Sequence, residues 1–145
     1  MMKSVVRLLL ACSLLTICAC SKQEGPARKE TSPVKGEVFV DGKPAGGLQV
    51  TLTALTPDNQ NATVSATMTA EDGKFAVSTY EQGDGAPEGE YVVTFMWGKL
   101  NVMSMAYGGP DKLNGRYTDP KKSTFKIKVE KGKPTEMGKI ELTSK

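Results

Sequence analysis

From Val34 onward the chain alternates apolar and polar positions with a period of two. Val34, Gly36, Val38 and Val40 alternate with Lys35, Glu37 and Phe39, the mark of a half-buried strand. Turn formers follow in Asp41-Gly42-Lys43-Pro44-Ala45-Gly46-Gly47, where glycine tolerates positive φ and proline fixes its own. Leu48, Val50, Leu52 and Ala54 predict the inward face of a second strand, and Thr56-Pro57-Asp58-Asn59-Gln60-Asn61 a loop. Val64, Ala66 and Met68 mark a third strand. Glu71-Asp72-Gly73-Lys74 then turns the chain into a fourth at Phe75 and Val77, since Asp-Gly between alternating runs is a hairpin signal. After a loop at 82–89, Tyr91, Val93, Phe95 and Trp97 form the strongest strand. Its other face, Val92, Thr94 and Met96, is also fairly apolar, which predicts a central position. Phe125, Ile127 and Val129 alternate with Lys126, Lys128 and Glu130, and lysines facing outward suit an edge strand. Gly132-Lys133-Pro134 turns the chain, and Met137, Ile140 and Leu142 close it with a last strand.

No stretch carries a convincing helical period. About seven short strands spaced by Gly/Pro turns predict an all-β fold, an antiparallel β-sandwich of the transthyretin or immunoglobulin kind. Residues 98–122 break the pattern, and structureless loops of that length are uncommon and often functional. Met103, Met105, Tyr107 and Tyr117 make this segment a candidate binding loop, because methionines and aromatics form adaptable contact surfaces. The alternative is that Val102, Met103 and Met105 cover one end of the core.

The first thirty-three residues follow a different grammar. Lys3 and Arg7 precede an apolar run from Leu8 to Cys18, and Ala19 follows it, in the order charged, apolar, small. That order predicts a secretory signal peptide over residues 1–19, and the run is too short to span a bilayer, which takes about 20 apolar residues. Ser21 to Pro33 is polar, with two prolines, one glycine and no aliphatic side chain larger than alanine, so residues 20–33 read as a flexible tether. Residues 34–145 are then the folded domain.

Removing residues 1–19 leaves 126 residues and one cysteine, Cys20, so an exported domain of this size must stand on its core without a disulfide. The net charge falls from +3 to +1, which argues against nucleic acid as a partner. Charge is unevenly spread: residues 36–97 hold two basic and nine acidic side chains, residues 98–145 eleven basic and five acidic. Interleaved halves of a sandwich would complement one another; a basic patch facing anionic lipid is the alternative.

Two resemblances narrow the reading. Ile17-Cys18-Ala19-Cys20 resembles the bacterial lipobox, with Ile17 for the usual leucine and Cys18 for a smaller residue. The resemblance implies cleavage before Cys20, a diacylglyceryl thioether on its sulfur and an acyl chain, such as palmitate, on its amino group. Two or more chains hold a protein stably at a membrane, at about 0.8 kcal/mol per buried methylene. Val38-Phe39-Val40-Asp41-Gly42-Lys43-Pro44, Thr69-Ala70-Glu71-Asp72-Gly73-Lys74-Phe75 and Gly89-Glu90-Tyr91-Val92-Val93 resemble the carboxypeptidase regulatory-like domain, a transthyretin-like sandwich. Gly83-Asp84-Gly85-Ala86 and Tyr117-Thr118-Asp119-Pro120-Lys121-Lys122-Ser123 are similar to stretches in short planctomycete lipoproteins that carry it. The family implies a fold and a place at the cell envelope, no peptidase activity and no established ligand.

The chemistry-bearing residues support no catalytic constellation. Histidine is absent and the one mature cysteine is the lipid site, which leaves no Cys–His, Ser–His or His-ligated metal centre. Glu71-Asp72 and Asp84 read as turn chemistry, since calcium asks for about six oxygens and adjacent strand residues point apart. No metal and no cofactor are expected. Tyr91, two residues after Gly89, reads as a core tyrosine whose hydroxyl bonds to backbone. The Asn61-Ala62-Thr63 sequon is incidental beside a bacterial lipobox. The expectation is a non-catalytic, lipid-anchored module on the periplasmic or surface face of a bacterial membrane. The second reading is a carbohydrate- or peptide-binding accessory protein using Tyr80, Trp97, Tyr107 and Tyr117 if exposed. The partners expected are the membrane, through Cys20, and an unidentified envelope protein or glycan.

Overall fold

The structure is a computed structural model and describes residues 28–56 and 64–145. The signal segment, Cys20, most of the tether, most of the 56–61 loop and the sequon lie outside the described residues. Twelve strands and no helix occur among the described residues: β1 Thr31–Ser32, β2 Val34–Val40, β3 Lys43–Pro44, β4 Gln49–Ala54, β5 Ser65–Met68, β6 Lys74–Ala76, β7 Ala86–Pro87, β8 Gly89–Met96, β9 Lys99–Asn101, β10 Ala106–Gly108, β11 Lys126–Val129 and β12 Thr135–Leu142.

Two four-stranded sheets carry the fold. One runs β11-β8-β4-β5; in the other β2 pairs with β12 on one side and with β3 and β6 on the other. Val34, Val38 and Val40 from the second meet Leu48, Val50, Leu52, Val93 and Phe95 from the first in one buried cluster. The result is all-β and sandwich-like. β8 is central, between β4 and β11, and β11 is an edge strand whose outward lysines, Lys126 and Lys128, discourage further pairing.

Several details differ from the pattern in the sequence. β12 runs parallel to β2, so the fold is not purely antiparallel. Its core face changes parity between Met137 and Ile140 because the register slips between Glu136 and Lys139, a β-bulge in which Gly138 takes φ +66°. In β5 the apolar residues face outward: Val64 and Met68 are exposed, while Ser65 and Thr69 are buried. The polar pair is satisfied there, since Thr69 Oγ1 accepts the Leu48 N–H and donates to Ala45 O, and Ser65 shares a 2.7 Å bond with Thr79 Oγ1. The Asp72-Gly73 turn forms, closed by Ala70 N–H to Lys74 O at 2.8 Å. It joins strands of different sheets, however, because β5 pairs with β4 and β6 with β2.

The tether does not stay free up to Pro33. Thr31 and Ser32 pair with Pro87 and Ala86, and Ser32 is fully buried, its Oγ accepting the Gly132 N–H at 2.9 Å. Pro33 O then accepts the Thr135 N–H at 2.8 Å, which seats the start of β2 beside β12.

Candidate functional site

The strand β8 leads from one pole of the molecule to the other. At its start lie β1, β7 and the turn after β11; beyond its end lies the irregular stretch 97–123. That stretch is built mostly by side chains that hold backbone. The Asp111 carboxylate accepts N–H groups from Trp97, Leu113 and Gly115, each at 2.9 Å. Leu113 is thereby turned into the core, where it is fully buried. The Lys112 ammonium sits 4.2 Å from the Trp97 ring centroid, and the indole N–H donates to Gly46 O.

Of the four candidate loop residues, the structure separates two from two. Tyr107 is half-buried: its hydroxyl accepts the Gly98 N–H at 2.7 Å, and its hydrogen lies between Gly47 O (2.8 Å) and Met96 O (3.1 Å). Burial outweighs these bonds and raises its pKa above the usual phenol value. Tyr117 leans on Phe125, which meets Phe95 edge-on at 5.2 Å, and its hydroxyl accepts the Thr143 N–H. Bonds from Thr143, side chain first and then backbone, lower its pKa. Both tyrosines therefore pin the loop to the sandwich.

Met103 and Met105 instead sit at the tip of a hairpin, β9–β10, that the sequence pattern did not announce. Met103 is 94% exposed, Val102 77% and Met105 75%, so these three do not cover the core. Leu113 does so in their place, and its isolated position between polar neighbours gave no periodic signal. The Asn101 carboxamide oxygen accepts the Met103 and Ser104 N–H groups (3.0 and 3.3 Å) and closes the tip. Below it the hairpin, Gly109 and Pro110 border an open groove of about 430 Å³.

The other candidate residues take structural places. Tyr91 is buried and donates its hydroxyl to Pro87 O at 2.8 Å, and burial raises its pKa. Tyr80 is half-buried, accepts the Lys29 N–H and lies under the Arg28 guanidinium. Tyr80, Trp97, Tyr107 and Tyr117 thus all direct their polar groups at their own chain. Asp72 accepts the Lys74 N–H, which lowers its pKa first, and pairs with the Lys74 ammonium. Asp84 accepts three N–H groups, from Thr79 (2.7 Å), Tyr80 (3.0 Å) and Glu81 (3.1 Å). Among the described residues no cluster of three acidic or thiol side chains converges on a cation position. An open groove of about 570 Å³ crosses the outer side of β2 and β6, where Lys35, Glu37, Lys74 and Glu136 alternate in sign. Within residues 98–145, Lys128 and Lys133 pair with Glu130, Lys139 with Glu141, and Lys122 with Asp119, which engages acids of that same half and leaves its basic excess in place.

No family model matches the chain, and no curated protein does. Among solved structures it is similar to a 9R-lipoxygenase from Cyanothece PCC8801, at 10% identity and a TM-score of 0.42, over 83% of this chain and 18% of that one. It is also similar to (S)-allantoin synthase, at 16% identity and a TM-score of 0.40, over 80% of this chain and 42% of that one. The chain thus spans less than half the length of either, and likeness at this level carries no argument about activity.

Proposed function

We propose that the protein is an exported lipoprotein, anchored through Cys20, that presents a non-catalytic sandwich of the carboxypeptidase regulatory-like, transthyretin-like type at the bacterial cell envelope. The observation that carries this reading is Ile17-Cys18-Ala19-Cys20 at the end of an apolar run with a basic start. The way the chain enters the domain agrees with it. Residues 28–32 are tied down by Arg28–Glu81 (3.1 Å), Lys131–Glu30 (2.9 Å) and the β1–β7 pairing, all at one pole. The chain therefore enters the domain through a held segment rather than a free end.

A structural or binding role suits the rest of the molecule. Asp84 and Asp111 are engaged in holding backbone, and the sequence has no histidine. Intact-mass measurement of the protein extracted from membranes tests the anchor. The chain should begin at Cys20 and carry diacylglyceryl and acyl groups, and Cys20→Ala should keep its first nineteen residues. A mature chain that begins elsewhere, or bears no lipid, overturns the proposal.

A further inference from the structure

We propose that the β9–β10 hairpin is a second membrane contact, whose tip enters the interfacial layer of a bilayer containing anionic lipid. Four observations bring this about. Leu100, Val102, Met103 and Met105 all stand out from one short ribbon, with Leu100 49% exposed and the others more so. Isolated exposed apolar residues need no explanation, but a contiguous set on a protrusion marks a contact surface. The tip also keeps its backbone partners: Asn101 Oδ1 already holds the Met103 and Ser104 N–H groups. That removes two donors that would be costly to place in an apolar medium.

Charge completes the match. Between Gly98 and Arg116, Lys99, Lys112 and Arg116 stand against the single acid Asp111, whose carboxylate is turned inward on three N–H groups. An apolar tip with Lys99 in its own strand fits the boundary between headgroups and acyl chains, where that long cationic side chain remains at headgroup level. Lys112 is held over Trp97 and Arg116 on Thr143. The base of the hairpin is held rigid by the Tyr107 hydroxyl, so the tip is presented rather than floppy.

The contact does not depend on lipid at Cys20. With that lipid present, the eight residues from Cys20 to Ala27, ahead of the held segment at 28–32, reach at most roughly 26–29 Å. The eight residues of β8 rise only about 26 Å. Both contacts can then occupy one leaflet, with the domain lying along the surface.

The test uses the full chain on vesicles of phosphatidylcholine alone or with roughly 30 mol % phosphatidylglycerol. An environment-sensitive fluorophore is attached at Met103→Cys, or at Lys131→Cys on the opposite pole, and unsubstituted protein is labelled in parallel to report any other thiol. On anionic vesicles the probe at 103 should shift to the blue and be quenched by tail-labelled lipid, while the probe at 131 should not. Adding Met105→Asp should lower the partitioning read at 103 by about tenfold, and circular dichroism should show the same fold. A water-like probe at 103 on anionic vesicles overturns the proposal, as does a shift that requires an added protein fraction. Failure of the Cys20 anchor reads differently: the chain then leaves neutral vesicles on sedimentation, while the probe at 103 still responds to anionic ones.

Discussion

Two small ribbons lie outside the main sheets, and they invert the usual relation between composition and burial. β1–β7 is built from Thr31, Ser32, Ala86 and Pro87, yet Ser32 and Ala86 are almost wholly buried. β9–β10 and its tip carry Leu100, Val102, Met103 and Met105, and all four are exposed. The difference lies in what each ribbon is packed against. The first is clamped between the 79–87 loop and the turn at Gly132, with every close contact satisfied by backbone or Ser32 Oγ. The second is fastened only at its base, through Tyr107 and the close approach of Gly98 to Gly108. Hydrophobicity therefore identifies neither ribbon; the bonds at its root do.

The sharpest way to break this comparison is at Gly85, which takes φ +89° with an ideal Cβ only 1.8 Å from Ser32 O. No side chain fits there, so Gly85→Ala should push β1 off β7 and destabilise the protein by about 3 kcal/mol or more. Gly109, at the foot of the other ribbon, has φ +85° but open space around its Cβ position. Gly109→Ala should cost only about 1 kcal/mol, the backbone term alone. Equal losses in chemical denaturation would show that φ, not the packing of the first ribbon, governs both.

The two carboxylates come next. Asp84 and Asp111 each accept three N–H groups, one beside each ribbon. Asp84→Ala and Asp111→Ala should each cost about 1–3 kcal/mol, because each removes three charge-assisted bonds, two of them to partly buried donors. Amide exchange should separate them: the first variant speeds exchange at residues 79–85, the second at 97 and 113–115. Loss of protection throughout both regions in either variant would mean that the poles are not independent.

The alkaline side of the stability curve offers a smaller effect. Burial raises the pKa of Tyr91 and of Tyr107, so in the folded state both hold their protons above the ordinary phenol value of 10.0. Such groups contribute stability fully below pH 10 and lose it as pH rises through the folded value, because the unfolded chain releases its protons first. Tyr117 has the opposite sign, since its bonds from Thr143 favour the anion. Stability should therefore fall above pH 10, and Tyr91→Phe should flatten that fall. An unchanged alkaline slope in Tyr91→Phe would place the titration elsewhere.

The main sheets were legible in the sequence because alternation survives wherever one face is dry. β2, β4, β8 and β11 show it, and the lysines of β11 announced an edge. β5 misled because its buried positions are Ser65 and Thr69, whose hydroxyls find partners that no periodicity reveals. β12 runs parallel to β2, and nothing in its alternation distinguishes that from antiparallel pairing. The stretch 97–123 was opaque for a related reason. Its order comes from Asp111, Tyr107 and Tyr117 reaching backbone far along the chain, not from a repeating apolar face. The glycine and aspartate of Gly83-Asp84-Gly85-Ala86 were visible as a motif; that they serve to seat Ser32 required the fold.

The smallest expected change is at the hairpin tip, and it is the most telling about why the tip is apolar. Met105 has φ +53°, a left-handed conformation that asparagine tolerates better than methionine, and its side chain is open to water. Met105→Asn should thus leave stability unchanged within about 0.5 kcal/mol or raise it slightly, as read by the denaturation midpoint. A loss above about 1 kcal/mol would show that Met105 packs on the domain, which would remove the case for a contact tip. If stability holds, methionine at 105 is favoured neither by the backbone nor by solvent, and a contact outside the domain that prefers a thioether to an amide accounts for it. A bilayer interface does; a hydrated glycan does not.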